Sequence, residues 1–203
     1  MLNKLPDLRE TPSQTGGPYV HIGLTPNDAD IHGVFDADLG ADMLTPDTKG
    51  TRITVTGRVI DGGGAPVTDA VVEIWQADAD GSYAGAPSPN SNATPAFTGF
   101  GRKPTDNSGT FRFETIKPGP VTSADGKLMA PHITVWITAR GINIGLQTRL
   151  YFADEAEANA ADPVLARVPD YRRATLIARA EGEGRYVLDI HLQGETETVF
   201  FDI

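Results

Sequence analysis

A two-residue period is the strongest constraint on what this chain can fold into. In residues 53–61 (ITVTGRVID), Ile53, Val55 and Val59 fall on one face and Thr54, Thr56 and Arg58 on the other. That is the period of a strand with one face buried. A turn, Asp61-Gly-Gly-Gly-Ala-Pro66, follows it, then β-rich Asp69–Ala77, then the turn residues Asp78-Ala-Asp-Gly81. Further strands are predicted over Gly109–Thr115, Pro131–Arg140, Leu146–Phe152, Ala174–Ala180, Arg185–Gln193 and Thr198–Ile203. In Arg185–Gln193, Tyr186, Leu188, Ile190 and Leu192 share a face, and Glu181-Gly-Glu-Gly184 supplies a hairpin turn before it. Only Ala153–Ala166 reads as helical, with acidic residues at its start and a break at Pro163. The 22 glycines and 15 prolines are spread along the chain as punctuation between short runs. The expected architecture is all-β: a two-sheet β-sandwich over residues 52–203, preceded by an extended N-terminal arm over 1–51 and interrupted by one short helical excursion. The stretch Ala84–Thr105, rich in Ser, Asn, Pro and Gly, reads as a long loop of the kind that serves function or meets a partner.

Composition narrows the function. The 203 residues carry a formal net charge of -10, which repels nucleic acid and anionic lipid. An anionic small substrate would be repelled too, so a local cation would have to override the global field. The absence of cysteine excludes disulfides and thiolate metal sites. No run of about 18 apolar residues suggests a membrane-spanning helix. Residues 1–20 lack the pattern of a secretory signal, and a cytoplasmic location is expected.

Self-contained catalytic constellations are missing. The four histidines are His21, His32, His132 and His191. Alternation along Pro131–Arg140 places His132, Thr134, Trp136, Thr138 and Arg140 on one face. A His-x-His pair there would be a chelate, but the second place is Thr134, a poor partner for imidazole-loving metals. His132 therefore reads as a hydrogen-bonded buried histidine, and His191 as a solvated one. No G-x-S-x-G, G-x-G-x-x-G or G-x-x-x-x-G-K occurs, and Asp78 and Asp80 read as turn formers.

The segments Gly57-Arg-Val-Ile-Asp61 and Glu73-Ile-Trp-Gln76, the latter followed by Asp-x-Asp-Gly-x-Tyr83, resemble the intradiol ring-cleavage dioxygenases. The resemblance continues through Gly99-Phe-Gly-Arg102, Thr105-Asp-Asn-Ser-Gly109, Thr115-Ile-Lys-Pro-Gly-Pro120, Ala130-Pro-His-Ile133 and Thr148-Arg-Leu-Tyr-Phe152. Three other segments are similar to the α subunits of those members that are built from unlike α and β subunits and cleave protocatechuate. These are Glu10–Gly23, Ala139–Ile144 and Gln193–Asp202. With the arm counted, the resemblance covers nearly the whole chain.

The resemblance implies iron held by two tyrosines and two histidines, and three of those four places are changed here. One tyrosine position is Val121, the other falls inside Gly85–Ala96 near Pro89 where no tyrosine exists, and the second histidine is Thr134. The arginine three residues before the first histidine is Met129, and the glutamine of the T-Q-L-Y-F segment is Arg149. No catalytic and no metal-binding residue is therefore assigned to this chain. The implied cofactor is Fe(III), held in the complex by the partner β subunit and not by this chain. The implied partners are that β subunit in a higher-order α/β hetero-oligomer, with protocatechuate and O2 as substrates and 3-carboxy-cis,cis-muconate as product. The residues that would line the shared cavity are Thr15, Gly17, Pro18, Tyr19 and Arg140. Arg140 is the candidate for the local cation, with a surface or interface salt bridge as the plain alternative. Two other classes stay open at this point: an independent dioxygenase with a relocated iron, and a binding or structural module without an enzyme partner. A neighbouring reading frame encoding a homologue with all four ligands would separate them.

Overall fold

The computed structural model describes residues 14–84 and 96–202. Its strands are β1 (Arg52–Ile60), β2 (Val71–Gln76), β3 (Phe100–Pro104), β4 (Thr110–Ile116), β5 (Val121–Thr122), β6 (Leu128–Met129), β7 (His132–Thr138), β8 (Leu146–Phe152), β9 (Ile177–Ala180), β10 (Arg185–Val187) and β11 (Ile190–His191). Three short α-helices join them: α1 (Val20–Leu24), α2 (Ala156–Ala161) and α3 (Asp170–Arg173). None of the described helices is long and apolar enough to cross a membrane.

The mostly-β expectation holds; in place of a plain two-sheet sandwich, and beside the small β5–β6 hairpin, nine strands form one continuous sheet. Its path runs β11-β1-β10-β9-β8-β7-β2-β3, with β4 on the other edge of β1. The join is β9. Ile177 and Ala178 pair in parallel with Tyr151 and Phe152 of β8, while Arg179 and Ala180 pair antiparallel with Val187 and Tyr186 of β10. A strand shared in this way lets two facing layers curl into a nearly closed barrel, with β3 and β4 approaching across the remaining gap.

The inward face is the apolar one that the alternation predicts. Ile53, Val55 and Val59 of β1 meet Val72 and Ile74 of β2, Phe111 and Phe113 of β4, and Ile133, Val135 and Ile137 of β7. Gly57 also points inward, where a methyl group would collide with the Leu188 carbonyl. Gln76 is a buried polar exception and is satisfied: it donates to the Ile116 carbonyl at 2.9 Å and accepts from the Thr115 hydroxyl at 2.8 Å.

The helical excursion is longer than its sequence suggests. Residue Asp162 is extended before Pro163, as a residue before proline should be, and this ends α2. Two 3₁₀ turns, Leu165–Arg167 and Ala174–Leu176, then flank α3, so β9 starts at Ile177 rather than Ala174. This segment lays Leu165, Val168 and Leu176 over the outer side of β8, forming a second small core with Ala130 and Tyr151. In the arm, Met43 enters the main core, and the Gly40 carbonyl accepts from Arg102 N at 2.9 Å.

Candidate functional site

Strand β7 carries a polar cluster at each end. At its start, His132 is 2% exposed, with Nδ1 2.7 Å from the Ala130 carbonyl and the ring centroid 5.8 Å from that of Tyr151. Thr134 shares the face of His132, two residues on. Across the β7–β8 ladder, His132 faces Tyr151 and Thr134 faces Arg149. The Arg149 guanidinium donates from Nη1 to the Tyr151 hydroxyl at 3.4 Å and lies 3.5 Å from Met129 Sδ. Val121, paired with Met129 in the β5–β6 hairpin, flanks it. Behind them lies Asp162, fully buried. Its carboxylate accepts from Tyr151 Oη at 3.2 Å, from Ala130 N at 2.9 Å, and from Val164 N and Leu165 N at 2.8 Å each. Burial pushes the His132 ring below its ordinary pKa, and the Arg149 cation pushes it further down. Burial pushes the Tyr151 and Tyr83 phenols up.

At the far end of β7, the arm is tied on. The Thr15 hydroxyl donates to the Ala139 carbonyl at 3.0 Å, Thr15 bridges Asn143, and Ile144 N donates to the Gln14 carbonyl at 3.3 Å. Arg140, next to Ala139, has its Nε 2.9 Å from Asp69 Oδ2. Its side chain is 63% exposed against 10% for that of Asp69. Arg140 opens on a groove of about 580 Å³ that Asn143, Leu146, Leu192 and Gln193 also line. Gly17 sits at φ 77°, a left-handed conformation that glycine tolerates, with none of the described residues within 4 Å of where a Cβ would be. Pro18 and Tyr19 are exposed, Tyr19 by 75%.

A family model described as Dioxygenase matches residues 33–194. The α chain of protocatechuate 3,4-dioxygenase from Pseudomonas putida is 48% identical over 96% of this chain and 97% of its own length. The chain belongs to the intradiol ring-cleavage dioxygenase family. A β chain of protocatechuate 3,4-dioxygenase, from Burkholderia cepacia, is 36% identical over 82% of this chain and 75% of its own. Among solved structures, 3-chlorocatechol 1,2-dioxygenase from Rhodococcus opacus 1CP shares the fold, with TM-score 0.58 and 24% identity over 79% of this chain and 68% of that one.

Intradiol dioxygenases depend on iron, so the donor set at the start of β7 can be tested against that metal. The fit is poor. The cluster offers one imidazole, engaged with a carbonyl, and a threonine where a second imidazole would stand. A guanidinium beside them repels a ferric ion and lowers the basicity of His132. The expected tyrosine place inside Gly85–Ala96 lies, apart from Ala96, outside the described residues. Among the described residues no group of three His, Asp or Glu side chains could hold a metal ion.

The structure brings Thr15, Gly17, Pro18, Tyr19 and Arg140 to one end of the barrel. It also adds two residues that sequence reasoning passed over. Asp162 was readable from Asp162-Pro163, since aspartate before a helical turn caps its free N–H groups. Asp69 was readable only once β2 and β7 were known to be neighbours. Their register pairs Val71 with Thr138, and two residues further it sets Asp69 opposite Arg140.

Proposed function

We propose that this chain is the iron-free α subunit of a protocatechuate 3,4-dioxygenase, working in an α/β complex whose ferric iron is held by the β subunit. The observation that carries the reading is the start of β7: within the family fold, Arg149 and Thr134 stand beside His132 in place of a metal-binding set. Likeness to α chains over nearly the full length supports the same assignment.

In the complex, iron on the β subunit would supply the chemistry that opens the catechol ring with O2. This chain's contribution is a wall. Thr15, Gly17, Pro18 and Tyr19 present backbone and a flat ring edge, with glycine permitting close approach and proline stiffening the segment. Arg140 would set a cation against the protocatechuate carboxylate, overriding locally a protein of net charge -10. Holding one face of the substrate in place is a contribution to rate that needs no metal on this chain. A location in the cytoplasm suits this role.

The test is co-expression with and without a β homologue that keeps two tyrosines and two histidines. The α/β preparation should co-elute on size exclusion, carry iron and turn over protocatechuate. The single chain should do none of these. A single chain that binds ferric iron stoichiometrically with tyrosinate colour overturns the assignment, as does a monodisperse monomer that never associates with the β chain.

A further inference from the structure

We propose that Asp69 is a positioning residue that fixes Arg140 for a substrate carboxylate. The proposal rests on the reading that Arg140 meets that carboxylate. Arg140 is largely exposed and has many rotamers, so left alone it would present its guanidinium in no single direction. Asp69 removes that freedom from the strand behind it. Its Oδ2 lies 2.9 Å from the guanidinium Nε, an ion pair that tethers the cation to one side of the groove.

The backbone that carries Asp69 is held firmly. Asp69 is 7% exposed, and Ala70 N, the next backbone group, donates to the Thr105 hydroxyl at 3.1 Å. The same hydroxyl donates to the Val67 carbonyl at 2.8 Å, and Thr105 N donates to the Ala70 carbonyl at 2.9 Å. Thr105 thus staples the turn on both sides of Asp69. On the other strand, Ala139 is buried and its carbonyl takes the Thr15 hydroxyl. Residue 140 is therefore fixed through its side chain by Asp69 and through its neighbour by the arm.

One detail argues against a merely structural pair. Asp69 Oδ1 is buried and receives no hydrogen bond from the described residues. An under-bonded buried carboxylate is a poor choice for stability alone. It is a good choice for a group whose work is to hold one cation in one direction.

The experiment measures kcat/KM for protocatechuate and for catechol, which lacks the carboxylate, in the assembled α/β enzyme. The ratio is compared for wild type, Asp69→Ala, Asp69→Asn, Arg140→Ala and the Asp69→Ala/Arg140→Ala double variant. Asp69→Ala should lower the protocatechuate preference by about threefold to tenfold, through KM rather than kcat. Asp69→Asn keeps a side-chain oxygen beside Nε but loses the charge, and should lower it less. The double variant should equal Arg140→Ala, because Asp69 acts only through that arginine. Iron content should not change in any of them. If Arg140→Ala shifts the ratio while Asp69→Ala and Asp69→Asn leave it alone, or if the two losses add in full, Asp69 is structural and the proposal falls. An unchanged ratio in Asp69→Asn overturns it even where Asp69→Ala does not assemble. If Arg140→Ala itself leaves the ratio unmoved, the substrate-binding reading of Arg140 has failed, and the Asp69 proposal goes with it.

Discussion

The two ends of β7 differ in what their polar groups do. At the His132 end, the buried polar groups are turned inward. The His132 ring meets a carbonyl, Tyr151 meets Asp162, and Asp162 collects three backbone N–H groups. At the Arg140 end they are turned outward, with a guanidinium mostly in solvent and a glycine whose Cβ position no described residue approaches. A cluster that satisfies itself stabilises the fold and offers little to a ligand. A cluster left open is weakly stabilising, since exposed ion pairs contribute at most about 1 kcal/mol, and is available to a partner or substrate. On the proposed function, the contrast gives structure to one end and recognition to the other.

Asp162→Ala should break the closed end with the largest effect. Three backbone donors and a phenol would lose their acceptor in a site without water access, at about 1–3 kcal/mol for each group left unpaired. Part of that is recovered by relaxation, so the expected loss is roughly 3–5 kcal/mol. Chemical denaturation of the purified chain measures it. A loss no larger than that of an exposed aspartate such as Asp170 would mean that the start of β7 is not the rigid end.

Arg140→Ala should show the reverse pattern. Stability should change little, while the preference for protocatechuate over catechol in the α/β enzyme falls by about 1–3 kcal/mol of transition-state binding. Steady-state kinetics with both substrates reads it, with iron content as the control. An unchanged preference would make Arg140 an interface or surface residue.

These ends were not equally legible in the sequence. A strand such as β1, whose inward residues are nearly all apolar and whose other face is open, could be read from alternation because burial of one face is all that fixes it. Strand β3 was passed over because its buried position is Gly101 and its neighbours are Arg102 and Lys103. It is held instead by pairing with β2, including the Arg102–Glu73 ion pair at 2.6 Å. The predicted strand Arg185–Gln193 is two strands, since Asp189 turns aside to take Arg58 N at 3.0 Å and the Arg58 guanidinium at 2.7 Å. Among the described residues of Thr198–Ile203, only a bridge from Phe201 to Gln147 remains. The substitutions Thr134 and Arg149 are local facts of sequence and were visible. The Asp69–Arg140 pair is a fact of topology, and no period or motif along the chain announces it.

Gly17 offers a smaller test of the open end. Any side chain at φ 77° adds about 1–2 kcal/mol of backbone strain, whatever its size. Gly17→Ala and Gly17→Val share that strain, so the difference between them reports obstruction. Valine should lower kcat/KM for protocatechuate and catechol alike, and more than alanine does. Equal values for the two variants would place Gly17 away from the substrate.

The smallest expected effect is a pH dependence confined to the closed end. His132 is buried, and both its burial and the Arg149 cation hold its pKa below that of the unfolded chain, about 6.5. As pH falls through about 6.5 the unfolded chain takes up a proton that the folded chain refuses. Stability is therefore undiminished above that pH and falls below it, by at most about 1.4 kcal/mol per pH unit, until the folded-state pKa is passed. Thermal midpoints of wild type and His132→Gln at pH 7 and pH 5 isolate this contribution, because the carboxylates titrate in both proteins and cancel in the difference. Wild type should lose more than the variant. In Arg149→Gln the loss should shrink but not vanish, since burial is the larger of the two causes and remains. The substrate preference set at the Arg140 end should be blind to His132→Gln throughout. A shift there would couple the two ends of β7 and undo the division between them.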